Sequence, residues 1–124
     1  MELGTFSVSL AVNNLATSRA FYEKLGFAVI REDQAQSWLI LRCGETTIGL
    51  FQGVFPRNTL TFNPGLRGST MAPLDDFDDV REIQAHLKDQ GLTLAVETSS
   101  EESGPGHIML IDPDGNPILI EQHT

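Results

Sequence analysis

The same succession of local patterns occurs twice in this chain of 124 residues. In each copy, a strand-like segment is followed by two polar residues that suit a helix start. An apolar stripe with helical spacing and a terminal glycine come next. The helix-opening pairs are Asn13-Asn14 and Asp75-Asp76, separated by roughly half the chain. An internal repeat of this kind predicts that two copies of one small module build the fold.

The first copy reads as a strand, a helix and three further strands. A stripe of apolar residues predicts a helix from Leu15 to Leu25, and Gly26 is suited to end it. The predicted strands cover residues 6–12, 27–32, 37–42 and 46–52.

The second copy follows the same order. Residues 71–74 read as the end of a strand, and residues 92–97 as a strand that follows Gly91. The segment "DPDGN" contains the residues that favour a chain reversal and predicts a hairpin over residues 107–121. The second helical stripe is formed by Phe77, Val80, Ile83 and Leu87.

These patterns predict an α+β fold in which two tandem βαβββ modules form an open cleft. The length suits a single domain over residues 1–124. Module one is expected at about 5–53 and module two at about 68–124, joined by a linker at about 54–67. A link of this length without secondary structure is usually functional or mobile.

Composition narrows the classes of partner. The formal net charge is −9, which opposes binding to nucleic acid or to anionic membranes. No apolar run approaches the roughly 20 residues of a membrane span, and no signal peptide is visible. The single cysteine, Cys43, cannot form an internal disulfide and fits a cytoplasmic location. We therefore expect a small-molecule ligand, or another protein chain, as partner.

Two longer segments carry a resemblance to a known family. Residues 10–27, "LAVNNLATSRAFYEKLGF", and residues 111–122, "IDPDGNPILIEQ", resemble the vicinal oxygen chelate superfamily. That superfamily includes glyoxalase I, bleomycin-resistance proteins, fosfomycin-resistance proteins and extradiol dioxygenases. The resemblance covers nearly the whole chain and implies a vicinal-oxygen-chelate domain, but fold does not fix activity.

The resemblance also implies four metal-ligand positions, two on each module. Metal-dependent members carry His, Gln or Glu on the first and fourth strands. In this sequence those positions fall at Ser7, Gly49, Ser69 and Leu119. Side chains of these types do not form the donor set of a divalent metal. We therefore expect neither a metal nor another cofactor, although a shift of register would restore Glu121 as a ligand.

Other residues are candidates for ligand contact rather than metal binding. The resemblance suggests that His107 and Met109 face the cleft, and strand alternation places Glu121 on the same face as Leu119. His107 and Glu121 are the candidate acid–base groups; in an apolar cleft the pKa of Glu121 would be raised. The predicted ligand-binding set is completed by Ser9, Trp38, Phe51, Arg57 and Met71.

Three functions remain open on the sequence alone. The first is metal-free binding of a small, mostly apolar or aromatic molecule in the β-sheet cleft. The second is a metal-dependent lyase, dioxygenase or thiol transferase of glyoxalase type. The third is a metal-free enzyme that uses His107 or Glu121 for proton transfer. In each case we expect a homodimer, because two open half-barrels leave apolar edges that a short chain covers poorly.

Overall fold

The computed structural model describes residues 1–68 and 71–124, which divide into two compact units. The N-terminal unit is Ser7–Thr59, and the C-terminal unit is Met1–Phe6 together with Leu60–Thr124. Both units combine strands with one α-helix, so the predicted α+β class is confirmed. Among the described residues, neither helix is long and apolar enough to cross a membrane.

The N-terminal unit has the elements predicted for the first module. They are β1 (Thr5–Val12, in this unit from Ser7), α1 (Leu15–Lys24), β2 (Ala28–Asp33), β3 (Trp38–Cys43) and β4 (Thr46–Gln52). The strand order is β2-β3-β4-β1, with β1 parallel to β4.

The start of α1 and the core beneath it explain this arrangement. Asn14 caps the helix as predicted, since its side-chain oxygen accepts a hydrogen bond from the Thr17 N–H at 2.9 Å. One face of the sheet buries Leu39, Leu41, Ile48 and Leu50, against which residues of α1 pack. The opposite face of this sheet is therefore the one not used by the helix.

The described residues of the C-terminal unit form strands and one helix, besides the first two residues of β1. They are β5 (Thr59–Asn63, in this unit from Leu60), β6 (Leu66–Arg67), β7 (Ala72–Pro73), α2 (Val80–Asp89), β8 (Gly106–Ile111) and β9 (Pro117–Gln122). Strands β5, β9 and β8 form its sheet in that order, with β5 parallel to β9. The predicted hairpin is confirmed as the antiparallel pair β8–β9. Its turn is held by the Asp112 carboxylate, which accepts hydrogen bonds from the Asp114 and Asn116 N–H groups.

The first strand of the second module was predicted wrongly. Residues 71–74 contain only β7, which pairs with β6. The strand that pairs in parallel with β9, as β1 does with β4, is β5. It lies inside the segment predicted to be a structureless linker. Local composition did not indicate this strand, because it is only five residues long and prolines lie on both sides of it.

The start of the second helix was also predicted too early. Asp79, not Asp75-Asp76, caps α2, and its carboxylate accepts a hydrogen bond from the Arg81 N–H at 2.9 Å. The buried Gln122 side chain fixes this start, because its oxygen accepts from the Val80 N–H at 2.7 Å. Phe77 therefore precedes the helix.

The strand predicted over residues 92–97 is reduced to a single bridge between Val96 and Met109. The N–H groups of Ala95 and Val96 both point to the Met109 carbonyl. At Thr98 the Gln84 side chain takes the place of a neighbouring strand: it accepts from the Thr98 N–H and donates to its carbonyl. A buried helix side chain thus satisfies backbone groups that a ladder would otherwise use.

Candidate functional site

The face of the N-terminal sheet opposite α1 is defined by strand register. Ser9 on β1 is the partner of Gly49 on β4, and Gly49 is in turn the partner of Ile40 on β3. One pair further along, Phe51 is the partner of both Ala11 and Trp38. Because directly paired residues point to the same side of a sheet, these side chains share one face.

Gly49 has no room for a side chain. A Cβ built on its backbone would lie 2.5 Å from Cε2 of Phe51 and 3.2 Å from Cδ1 of Ile40. The Phe51 ring thus occupies the space above the glycine. The absence of a side chain at position 49 is a packing requirement of this face.

Three aromatic rings are in contact on and beside this face. The Phe51 ring centroid lies 6.2 Å from that of Trp38 and 4.9 Å from that of Phe55, the latter in an edge-on arrangement. Phe55 belongs to the segment after β4. We call Trp38, Phe51 and Phe55 the aromatic cluster. All three side chains are half-buried, so each offers part of its surface to a ligand.

The polar residues predicted near this face differ in accessibility. Ser9 is buried, at 3% exposure, while Ser7 is half-buried and Arg57 is exposed. The carbonyl of Arg57 accepts a hydrogen bond from the hydroxyl of the buried Thr59 at 3.0 Å. Ser7 and Arg57 are therefore the polar groups of this set with the greater access to solvent.

The hairpin of the C-terminal unit has a second face of this kind. Leu119 on β9 is paired with Met109 on β8 and with Thr61 on β5. His107, two residues before Met109 on β8, is the direct partner of Glu121, two residues after Leu119 on β9. His107, Met109, Leu119 and Glu121 thus share one face, in agreement with the alternation expected from the sequence.

The other face of the hairpin packs on α2. Ile108, Leu110 and Ile120 are buried in one cluster with Val80 and Ile83 of the helix. Ile118 packs against the same cluster. Ile118 and Ile120 thus pack on a helix, and this packing sets the register that places His107 and Glu121 on the opposite side.

His123 joins His107 and Glu121 at the open end of the hairpin. His123 Nε2 lies 3.6 Å from a carboxylate oxygen of Glu121, and both side chains are about half-exposed. The interaction with His123 and the charge of His107 hold the pKa of Glu121 below its usual value, although partial burial opposes this. The expected raising of the Glu121 pKa is therefore wrong, because the neighbouring imidazoles favour the carboxylate.

A shallow depression of about 550 Å³ lies over this end of the hairpin. Its lining includes His107, Glu121 and His123. These three side chains reach solvent in the depression and could form hydrogen bonds with a ligand there. Their exposure makes the depression a polar site, in contrast to the aromatic cluster.

Comparison with known proteins identifies the family. The model of the Glyoxalase/Bleomycin resistance protein/Dioxygenase superfamily matches residues 5–120. The chain belongs to this superfamily. Among curated proteins, none matches the sequence.

Solved structures show the same fold at low identity. A superfamily member from Vibrio splendidus 12B01 has a TM-score of 0.65 and 16% identity, with 95% of this chain and 97% of that one covered. Methylmalonyl-CoA epimerase from Streptomyces coelicolor has a TM-score of 0.63 and 14% identity, with 95% of this chain and 95% of that one covered. An extradiol ring-cleaving dioxygenase from B. fuscum has a TM-score of 0.56 and 22% identity, covering 98% of this chain and 32% of that one.

Strand register gives a position-by-position correspondence between the first strands of the two units. The pair Thr61–Leu119 in the C-terminal unit matches the pair Ser9–Gly49 in the N-terminal unit. Two residues earlier on each first strand, Thr59 thus corresponds to Ser7. Ser69, which the sequence placed at this position, lies outside the described residues.

The residues at these positions do not fit a divalent metal. Gly49 is covered by a phenylalanine ring, and Leu119 is buried at 6% exposure. The hydroxyl of Thr59 is engaged with a backbone carbonyl. Within residues 1–68 and 71–124, no three His, Cys, Asp or Glu side chains are placed to hold an ion together.

Some predicted residues lie away from these faces, and some contributors were missed. Met71 lies in the turn before β7, with φ of 54°, and on no strand of the β5-β9-β8 sheet. His123 was not among the predicted site residues, although its spacing of two from Glu121 places both on one side of an extended chain. Thr59 and Thr61 were missed with strand β5 itself.

Proposed function

We propose that this protein binds a small, mostly apolar or aromatic molecule without a metal, on the sheet face that carries the aromatic cluster. The observation that carries the proposal is the Phe51 ring above Gly49. At a position where metal-dependent relatives would need a donor side chain, this chain has an aromatic surface. Binding of small organic molecules to such surfaces is driven by apolar contact and oriented by a few polar groups.

Polar groups near the face supply that orientation. Ser7 and Arg57 have access to solvent, and the guanidinium would favour a ligand with a carboxylate. A planar aromatic acid has both a ring that can contact the aromatic cluster and a carboxylate that can pair with the guanidinium. Leu119 and Met109 make the corresponding face of the C-terminal unit apolar as well.

Trp38 makes the proposal measurable, because it is the single tryptophan of the chain. A library of aromatic acids and their neutral analogues should be screened by thermal shift, since a ligand raises apparent stability by mass action. Hits should then be titrated against Trp38 fluorescence. Saturable quenching is the expected result.

The matched variants are Phe51→Ala and Phe21→Ala. Phe51 is in the aromatic cluster, whereas Phe21 is an exposed phenylalanine on α1, at 58% exposure. Phe51→Ala should weaken binding about tenfold, and Phe21→Ala should leave it unchanged. Equal affinities in the two variants would contradict binding on this face.

Metal content is tested separately. After exhaustive dialysis, the purified protein should hold far less than one Zn, Ni, Mn, Fe or Mg ion per chain by elemental analysis. The reason is the non-donor character of positions 49 and 119. One ion per chain, whose removal by a chelator destabilises the protein, would contradict metal-free binding.

A second candidate function is proton transfer, favoured by the contact of Glu121 with His123 and its pairing with His107. An imidazole and a carboxylate on one open face can together move a proton to or from a bound molecule. The test is incubation of a ligand found in the screen with the protein in D₂O, followed by NMR. Deuterium uptake that is lost in His107→Ala would establish an enzyme. The absence of uptake would contradict proton transfer and leave ligand binding as the only proposed function.

We further propose a cytoplasmic homodimer that binds neither nucleic acid nor membranes. The net charge of −9 opposes both polyanions, and the single half-buried thiol of Cys43 suits a reducing compartment. Light scattering at micromolar concentration should give twice the chain mass of 13.6 kDa. A mass of one chain would refute the dimer.

A further inference from the structure

A groove of about 750 Å³ lies in the C-terminal unit, and its lining includes no residue of the aromatic cluster. Phe62 lines it, and Phe62 is paired with Ile120, whose side chain is in the core against α2. The groove is therefore on the helix side of the β5-β9-β8 sheet. Leu119 and Glu121 lie on the other side of that sheet.

The floor of the groove is apolar. Several half-buried or buried side chains form it: Leu3, Phe62, Pro64, Leu66, Leu74 and Phe77. Leu3 and Phe62 also pack against the core around α2. The floor is thus continuous with the hydrophobic core, and a ligand there would gain from removal of apolar surface from water.

The rim of the groove is acidic. Four carboxylates line it, those of Glu2, Asp76, Asp78 and Glu82, against one cation, Arg67. Among the described residues, none of the four carboxylates forms an ion pair. Asp78 accepts a hydrogen bond from the Glu2 N–H at 3.0 Å, which holds the N-terminal segment along the rim.

We propose that this acidic groove binds an organic cation with an apolar body, such as a primary amine on a short aryl-alkyl chain. The apolar body lies on the floor, and the ammonium group lies among the rim carboxylates. Charge complementarity supports the choice, because the rim carries an excess of negative charge on a chain whose net charge is already −9. A neutral ligand would leave the carboxylates without a counter-charge, and an anion would be repelled.

The probes are 4-phenylbutylamine, 4-phenylbutan-1-ol and 4-phenylbutanoate, which share one apolar body and differ in charge. Binding should be followed by titration of the ¹⁵N-labelled full chain, with shifts of the backbone amides of Leu66, Leu74 and Phe77. We expect saturable binding of the amine, binding of the alcohol that is about tenfold weaker, and none of the carboxylate.

Two double variants that lose the same charge distinguish the effect of the rim carboxylates from that of the protein's net negative charge. Asp76→Asn with Glu82→Gln removes two exposed rim carboxylates, whereas Glu101→Gln with Glu102→Gln removes two exposed carboxylates outside the groove. The rim variant should weaken amine binding about fivefold, and the control should leave it near the wild-type value.

Three results would overturn the proposal. They are equal affinity for the amine and the alcohol, equal weakening by the two double variants, and amine-induced shifts confined to residues outside the groove. Phe51→Ala should not change amine binding here. This separates the acidic groove from the ligand face proposed above, so the failure of one does not imply the failure of the other.

Discussion

Replacing Gly49 by alanine tests directly how Phe51 fills the sheet face of the N-terminal unit. The new methyl group would lie 2.5 Å from the Phe51 ring and 3.2 Å from the end of the Ile40 side chain, so the ring must move. Overpacking of this kind costs about 1 to 3 kcal/mol. Alanine in place of glycine within a strand recovers about 0.5 to 1 kcal/mol. The net expectation is a loss of about 1 kcal/mol in the free energy of unfolding.

The sign of the effect should reverse when Phe51 is absent. In a Phe51→Ala background the methyl group enters space vacated by the ring, and the strand preference for alanine remains. Gly49→Ala should then stabilise by about 0.5 kcal/mol, which gives a coupling energy of about 1.5 kcal/mol between the two sites. In a Phe21→Ala background, the substitution should cost as much as in the wild type.

Urea denaturation followed by far-ultraviolet circular dichroism measures these differences. Fluorescence is unsuitable for this purpose, because the single tryptophan lies beside the altered ring. The cycle is meaningful only if the slope of the transition is the same in all variants. An equal cost of Gly49→Ala with and without Phe51 would refute the idea that the ring occupies the glycine's side-chain space.

Three further predictions concern the C-terminal unit. Gln122→Leu should lower the free energy of unfolding by about 2 to 3 kcal/mol in calorimetry, because the buried Val80 N–H loses its acceptor. Leu119→Glu should cost about 3 kcal/mol for an unpaired buried charge and bring no tight nickel or zinc binding by elemental analysis; normal stability with a bound ion would reveal a latent metal site. The pKa of Glu121 is lowered on folding, so this residue should stabilise the folded protein at pH values above its ordinary pKa of 4.5. This contribution should be lost as the pH falls through the folded-state pKa. The destabilisation caused by Glu121→Gln should therefore be larger at about pH 6 than at about pH 3 in urea titrations; no change with pH would contradict the contact with His123.

The sequence was most informative where local signals and long-range packing agree. Asn14, the stripe of α1 and the terminal glycine predicted the first helix, because cap, periodicity and stop are all local. The hairpin of β8 and β9 was equally readable from "DPDGN". In both cases the residues that decide the structure are neighbours in the chain.

The second module was harder to read because distant residues decide its structure. Strand β5 exists through pairing with β9, and α2 begins at Val80 because a buried glutamine far along the chain accepts its N–H. After the bridge at Val96, the backbone of Thr98 is bonded by a side chain of α2 rather than by a neighbouring strand. No local pattern indicates such contacts, so the first strand of the second module was predicted at residues 71–74 instead of at β5.

The helix-side cores hold the register of the strands that carry Gly49 and Leu119. In the N-terminal unit the register of β4 is held by Leu50, and in the C-terminal unit that of β9 is held by Ile120; both residues are almost fully buried. The opposite faces at Gly49 and Leu119 are free to change without a slip of register. At position 49 the ring of a neighbour fills the space above the backbone, and position 119 carries a buried leucine. A metal site built at these positions would therefore require removal of Phe51 as well as new donors, and a donor substitution at position 49 alone should only displace the ring.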